Sequence, residues 1–289
     1  MVEITSQLVS ALLAAQFPQW ARLPLIPVEP GGWDNRTFRL GDAMAVRLPS
    51  AECYAEQVDK EQRWLPWLAP QLPLAVPSPL AVGEPGAEYP WHWSIYRWID
   101  GETVATSSNV DLAVLASDLA RFLVELQSLD ATQGPVPGAH NFQRGGSLSI
   151  YDQQTRRAIA ALGREIDAAR ATEIWDEALA TSWDRAPVWI HGDVAAGNLL
   201  LQDAKLHAVI DFGCCAVGDP ACDLVAAWTI FDADSADDFR KRLQLDDATW
   251  QRARGWALWK ALITLVDELA ADATAADRTR ALIERIISA

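Results

Sequence analysis

The sequence predicts an α+β chain in two lobes, a β-rich lobe over residues 1–97 and a mostly helical one over residues 98–289. Three observations predict it. The early part of the chain alternates strand-like apolar runs with Gly- and Pro-containing turns, the pattern of strands joined by hairpins. Beyond it, apolar residues recur at helical spacing. A single short strand–loop–strand island, around "WIHGDVAAGNLL", interrupts the helical part. At 289 residues the chain is long enough to bury a core in each of two bodies.

Residues 3–17 read as an amphipathic helix. "RTFRL" and "AMAVRL" then flank Gly41-Asp42, a two-residue hairpin signal. Glu52 to Leu68 is helical in pattern, with Trp64, Leu65 and Leu68 on its apolar stripe. Pro66 argues for a kink or an early end there, because it lacks the N–H an inner turn needs. The Pro-rich segment "PQLPLAVPSPLAVGEPG" leads to the bulky strand "WHWSIYRWI" and a turn at Asp100–Glu102. Asn109 stands where an N-cap would open a helix whose face carries Leu112, Leu115, Leu119, Phe122 and Leu126. Ser128 to Gly146 reads as loop, and helices are expected over Ile150–Trp183 and from Pro220 onward.

Half of the residues are hydrophobic and 22% are charged, which marks a globular chain and not a disordered one. No apolar run approaches the ~18 residues of a membrane span; the longest, "WALWKALITLV", is broken by Lys260 and stopped by Asp267. The first basic residue is Arg22, so the basic n-region of a secretory signal is missing and a cytoplasmic protein is expected, with no membrane partner. The net charge of −15 leaves no Lys/Arg surplus to neutralise phosphates, which argues against nucleic acid. An acidic field would instead attract a cationic small molecule. Cys214, Cys215 and Cys222 cluster, but without a CxxC pair or a completing His they read as buried thiols, not metal ligands.

The island carries the chemistry. Asp193 and Asn198 are five residues apart, the step between base and metal-binding amide in the pattern H-R-D-L-x-x-x-N, and Asp211 opens a literal D-F-G. Phosphoryl transfer needs one carboxylate to orient an attacking hydroxyl, and a second carboxylate with an amide oxygen to hold Mg²⁺ against the phosphates. Ala195, Ala196 and Gly197 are small enough for the loop to turn tightly between them. An Asp-x-x-Gly-Asn run also suits a plain hairpin turn; the full constellation at this spacing favours a phosphate–metal site.

"HGDVAAGNLL" and "VIDFGCCAVGDPACDLVAAW" resemble the catalytic and metal-binding loops of the aminoglycoside phosphotransferase family, whose members share a protein-kinase-like two-lobe fold. The resemblance implies that Asp193 is the catalytic base and that Asn198 and Asp211 bind Mg²⁺, with His191 supporting the loop. It implies ATP or GTP as phosphate donor, with residues 1–97 as the nucleotide-binding lobe and 98–289 as the catalytic and acceptor-binding lobe. Only five residues separate Gly213 from Asp219, too few for an activation loop ending in A-P-E, so a small-molecule acceptor is expected in place of a protein. Asp219 and Asp223 are expected at a helix start, with Asp219 as N-cap before Pro220.

By the same resemblance, "EPGGWDNRTFRL" is the nucleotide-positioning loop, although Gly31 and Gly32 stand without the fuller G-x-G-x-x-G. Arg47 occupies the position where related kinases usually carry Lys; Glu61 is its expected partner, with Glu56 as fallback. Backbone groups of Arg97 and Ile99 would meet the purine. Asp267 and Glu268 resemble an acidic pair that helps some members bind aminoglycoside ammonium groups. The expected activity is Mg²⁺-dependent O-phosphorylation of a small molecule. Macrolide, choline, homoserine and sugar acceptors, or a pseudokinase that only binds nucleotide, are the alternatives.

Overall fold

The computed structural model describes residues 2–29, 31–269, 271 and 273–289. Thr5 caps the first helix, α1 (Ser6–Gln16), by accepting the Leu8 N–H at 3.2 Å. Five strands follow around one further helix: β1 (Leu25–Pro27), β2 (Asn35–Leu40), β3 (Met44–Pro49), α2 (Glu56–Leu68), β4 (Pro79–Gly83) and β5 (Trp93–Arg97). They form an antiparallel sheet in the order β1-β2-β3-β5-β4. Alternation along the strands sends Phe38, Leu40, Val46, Leu48 and Ile95 to one face, where Val9, Leu12 and Leu13 of α1 cover them.

The β2–β3 turn is one residue longer than Gly41-Asp42 suggested. Leu40 pairs with Met44, and Ala43 joins the turn because its carbonyl accepts the Trp98 N–H at 2.8 Å. Helix α2 runs through Pro66 and stops two residues later at Leu68, so the Gln62 carbonyl four residues back lacks the N–H that another residue would offer.

The remainder opens with β6 (Glu102–Thr103) and α3 (Leu112–Ser128). Asp111, not Asn109, caps α3: its Oδ1 accepts both the Ala113 and Val114 N–H groups at 3.1 Å. The predicted face is otherwise in place, with Leu115, Leu119, Phe122 and Leu126 fully covered. Helices α4 (Asp152–Ala161) and α5 (Ala168–Leu179) divide the Ile150–Trp183 stretch at Gly163. The island supplies β7 (Val188–Ile190), β8 (Leu199–Gln202), β9 (Lys205–Val209) and β10 (Ala216–Gly218), pairing as β6-β8-β9 and β7-β10. Pro220 opens a 3₁₀ turn to Val225 before α6 (Ala226–Thr229), α7 (Ala233–Leu243), α8 (Asp247–Glu268) and α9 (Ala273–Ser288). Gly255 lets α8 lie against α5, since a Cβ there would come within 2.6 Å of Ala178.

The apolar core does not break at residue 97. Leu65, Leu68 and Tyr96 join Leu119, Trp189 and Phe212 in one cluster, and Trp64 and Trp67 both pack on the Trp189 ring. Helix α2 is thereby anchored beside the loop that follows β7. No helix among the described residues is long and apolar enough to cross a membrane.

Candidate active site

The loop after β7 is shaped by one buried carboxylate. Asp223 accepts the His191 N–H and the Gly192 N–H, each at 2.7 Å, and is itself fully covered. Burial pushes its carboxyl up, against the opposing pull of His191 and the two amides. Gly192 has φ +84°, and a Cβ there would sit 2.4 Å from the Cys214 carbonyl, so only glycine fits. His191 is buried; its Nε2 bonds the Ile210 carbonyl at 3.0 Å while its Nδ1 accepts the Asp193 N–H at 3.2 Å. That pattern requires the Nε2–H tautomer and makes the ring a strut between the two loops.

Asp193 projects from this loop with its carboxylate exposed. The Asn198 Nδ2 donates to both the Asp193 carbonyl and its Oδ2 at 3.0 Å. With the amide nitrogen committed there, the Asn198 oxygen is the group left for a cation. Asp211 sits at φ +67°, a left-handed conformation that Asp tolerates better than most residues. Burial alone would raise its carboxyl, but the charge and hydrogen bond of Arg47, helped by His191, hold it below the ordinary range. An ionised carboxylate and an amide oxygen are hard oxygen donors of the kind Mg²⁺ takes, alongside phosphate and water oxygens. The residues present therefore fit that ion.

Arg47 on β3 reaches both partners. Its guanidinium lies 3.4 Å from Glu61 Oε1 on α2 and 2.7 Å from Asp211 Oδ1, and Tyr96 donates its OH to the other Glu61 oxygen. Burial raises the Glu61 carboxyl, and Arg47 only partly offsets this. The longer fork of Arg thus bridges helix α2 and the D-F-G loop with one side chain, which a single ammonium would not do bidentately. Glu56 takes no part in this pair.

Sequence reasoning missed Asp34. It lies in the β1–β2 loop beside Gly32, and its carboxyl is pushed up to about 6 by burial and then by the charges of Asp211 and Asp193, only partly opposed by the nearby polar side chains of Tyr54 and Gln57. Its position inside "GGWDN" was visible; its approach to residues more than 150 positions away was not. Gly31 and Gly32 are exposed in the same loop. At the end of β5, Arg97 donates its N–H to the Ser78 carbonyl at 2.9 Å. Ile99 lies two residues beyond the end of this strand.

A cavity of about 130 Å³ opens beside Asp193, walled by α8, α9 and the loop before α4; its lining includes Arg144, Trp256, Trp259, Lys260 and Thr264. Asp267 and Glu268 end α8 beyond this wall and do not line it. The side chains of α8 that face the cavity come one to three turns earlier. Among the described residues no three of His, Cys, Asp and Glu gather into a metal-binding group. Burial pushes the Cys215 thiol up to about 12, and Cys214 and Cys222 also upward.

A β-sheet body carrying a paired cation, set over a helical body carrying an Asp–Asn loop and a D-F-G loop, defines a kinase-type phosphotransferase that acts on a hydroxyl group. The model of the phosphotransferase enzyme family matches residues 26–256, and the chain belongs to that family. The fold is similar to that of aminoglycoside 2'-phosphotransferase-IIIa in its GDP complex, at 17% identity and TM-score 0.72 over 99% of each chain. It is also similar to APH(2")-IIa in complex with gentamicin, at 19% identity and TM-score 0.65 over 100% of this chain and 98% of that one. Macrolide 2'-phosphotransferase MphH from Brachybacterium faecium matches at 24% identity and TM-score 0.61, over 95% and 98% of the two chains. No curated protein matches the chain significantly by sequence.

Proposed function

We propose that the chain moves the γ-phosphoryl group of ATP or GTP to a hydroxyl of a small molecule, with residues 1–97 holding the nucleotide and 98–289 the catalytic loop and acceptor. The observation that carries this is the exposed Asp193 carboxylate lining a cavity and bonded by Asn198, next to a loop whose Asp211 is paired with Arg47. The acceptor hydroxyl oxygen attacks the γ-phosphorus, and the bond from that phosphorus to the β–γ bridging oxygen breaks. The nucleoside diphosphate leaves, and the hydroxyl proton passes to Asp193. Asn198 and Asp211 would hold Mg²⁺, which when bound offsets phosphate charge. Arg47 would bind phosphate oxygens while Glu61 keeps its fork in place. Backbone groups of Arg97 and Ile99, where β5 ends, would meet the purine.

The test is nucleoside-diphosphate release with Mg²⁺ and either ATP or GTP, over a panel of aminoglycosides, macrolides, amino alcohols and hydroxy acids, with Asp193→Ala as control. Acceptor-dependent release lost in the variant is the expected result. Nucleotide binding without release for any acceptor class would overturn the reading in favour of a protein that only binds nucleotide.

A further inference from the structure

The cavity beside Asp193 has the wrong charge for a polycation. Among the described residues Asp193 is the only carboxylate in its lining, whereas Arg144 and Lys260 both contribute to it. Two cations against one carboxylate leave it net positive, in a chain whose overall charge is −15. Neither cation forms an ion pair among the described residues. The other basic residues of α8 are committed elsewhere: Arg252 bonds Asp219 at 2.6 Å, and Arg254 donates to the Ile286 and Ile287 carbonyls at 2.8 and 2.9 Å. Lys260 alone on that helix is left facing the cavity.

Arg144 is held in place without being neutralised. Its guanidinium lies over the rings of Trp256 and Trp259, at 5.2 and 4.9 Å from their centroids. Trp259 is fixed in turn, stacked 3.9 Å from the Tyr151 ring and donating its Nε1–H to Gln154 at 2.9 Å. An arginine laid on an aromatic platform keeps its N–H donors free for a planar or tetrahedral anion.

We propose that the acceptor is a hydroxylated compound carrying an anionic group, a carboxylate or a phosphate, which Arg144 and Lys260 bind while its hydroxyl faces Asp193. This rests on the phosphotransferase reading above and supplies its substrate class. The expectation of a cationic acceptor came from net charge, which describes the whole surface and not this pocket. An amine-rich acceptor would set its ammonium groups against both cations, with only the reacting carboxylate to offset them. An anionic acceptor would be drawn in, and its charge would be balanced as it approaches Asp193.

The test uses triplets that share a skeleton and differ in charge: gluconate, sorbitol and glucamine, and glycerate, glycerol and 3-amino-1,2-propanediol. Glycerol 3-phosphate separates a phosphate preference from a carboxylate one. Nucleoside-diphosphate release and direct binding by calorimetry are both measured on the full chain, as wild type, Arg144→Met, Lys260→Met and the double variant. The expected result is preference for the anionic member, lost on the order of 10- to 100-fold in each single variant, through acceptor KM with nucleotide KM unchanged. Equal or better use of the neutral or amine members would overturn the proposal while leaving the phosphotransferase intact. So would an equal loss for every acceptor, which would assign the two cations to the nucleotide phosphates. If nothing turns over, the phosphotransferase reading fails, and binding decides the pocket by itself. Anion binding that vanishes in the double variant sustains it, and its absence in the wild type ends it.

Discussion

On the catalytic-loop side of the site, His191 and Gly192 hang by their backbone N–H groups from the buried Asp223, and the His191 ring ties that loop to Ile210. On the side proposed to hold the nucleotide, the contacts run between side-chain charges: Arg47 to Glu61, Arg47 to Asp211, and Asp34 within the fields of Asp211 and Asp193. Backbone groups held by a covered carboxylate have one arrangement, because releasing them would leave buried donors unsatisfied. Side-chain ion pairs can exchange partners when an entering phosphate or cation replaces the partner given up. One half of the site is therefore built before the substrate arrives, and the other half is completed by it.

Four substitutions would break or sharpen this contrast. Asp193→Ala should lower kcat by roughly 10²- to 10⁴-fold with no shift in the thermal unfolding midpoint, since the carboxylate is exposed and supports no fold contact beyond Asn198. Asp223→Ala should do both kinds of damage. It strips two buried N–H groups of their acceptor, and urea unfolding should show a loss of about 2–5 kcal/mol together with a fall in kcat. Full stability with lost activity would mean that other contacts hold the loop.

Arg47→Lys should raise the nucleotide KM about tenfold and leave the unfolding midpoint nearly unchanged, because charge is kept but the fork to Glu61 and Asp211 is lost. A collapse of stability would show that the nucleotide side is as rigid as the other. The smallest effect is expected from Asp34→Asn. The folded carboxyl, pushed up to about 6, lies above its ordinary 3.8, so the folded chain retains a proton that the unfolded chain has released. Wild-type stability is therefore lost as pH rises through that window, and no penalty exists below it. In unfolding measurements, the substitution should stabilise the ligand-free protein by about 1–2 kcal/mol at about pH 8, allowing for partial exposure, and do nothing near about pH 4.

Much of the catalytic side was legible because its determinants are close together in the chain. Asp193, Asn198 and the glycine between them describe one turn, and "GDPACDL" announced both a cap at Asp219 and a carboxylate at Asp223, though not that Asp223 would hold the loop before Asp193. The N-cap of α3 was misplaced by two residues because Asn109 and Asp111 are both good caps, and only the chain's entry angle selects between them. Asp267 and Glu268 fall on α8, three and four residues beyond Thr264 in the cavity lining, a phase that depends on the neighbours of α8 and not on the local sequence.

By itself the sequence determined what local geometry and residue chemistry can determine: the strand-rich beginning, the helical remainder and the Asp–Asn and D-F-G loops, while the pairing of Arg47 with Glu61 was implied by the family resemblance. Tertiary structure decided which charges meet. Arg47 reaches Asp211 across 164 positions, Asp34 feels the charges of Asp211 and Asp193, and Arg144 lies on tryptophans more than a hundred residues later. Electrostatic interaction depends on distance and burial, and neither can be read from spacing once the chain has folded back on itself.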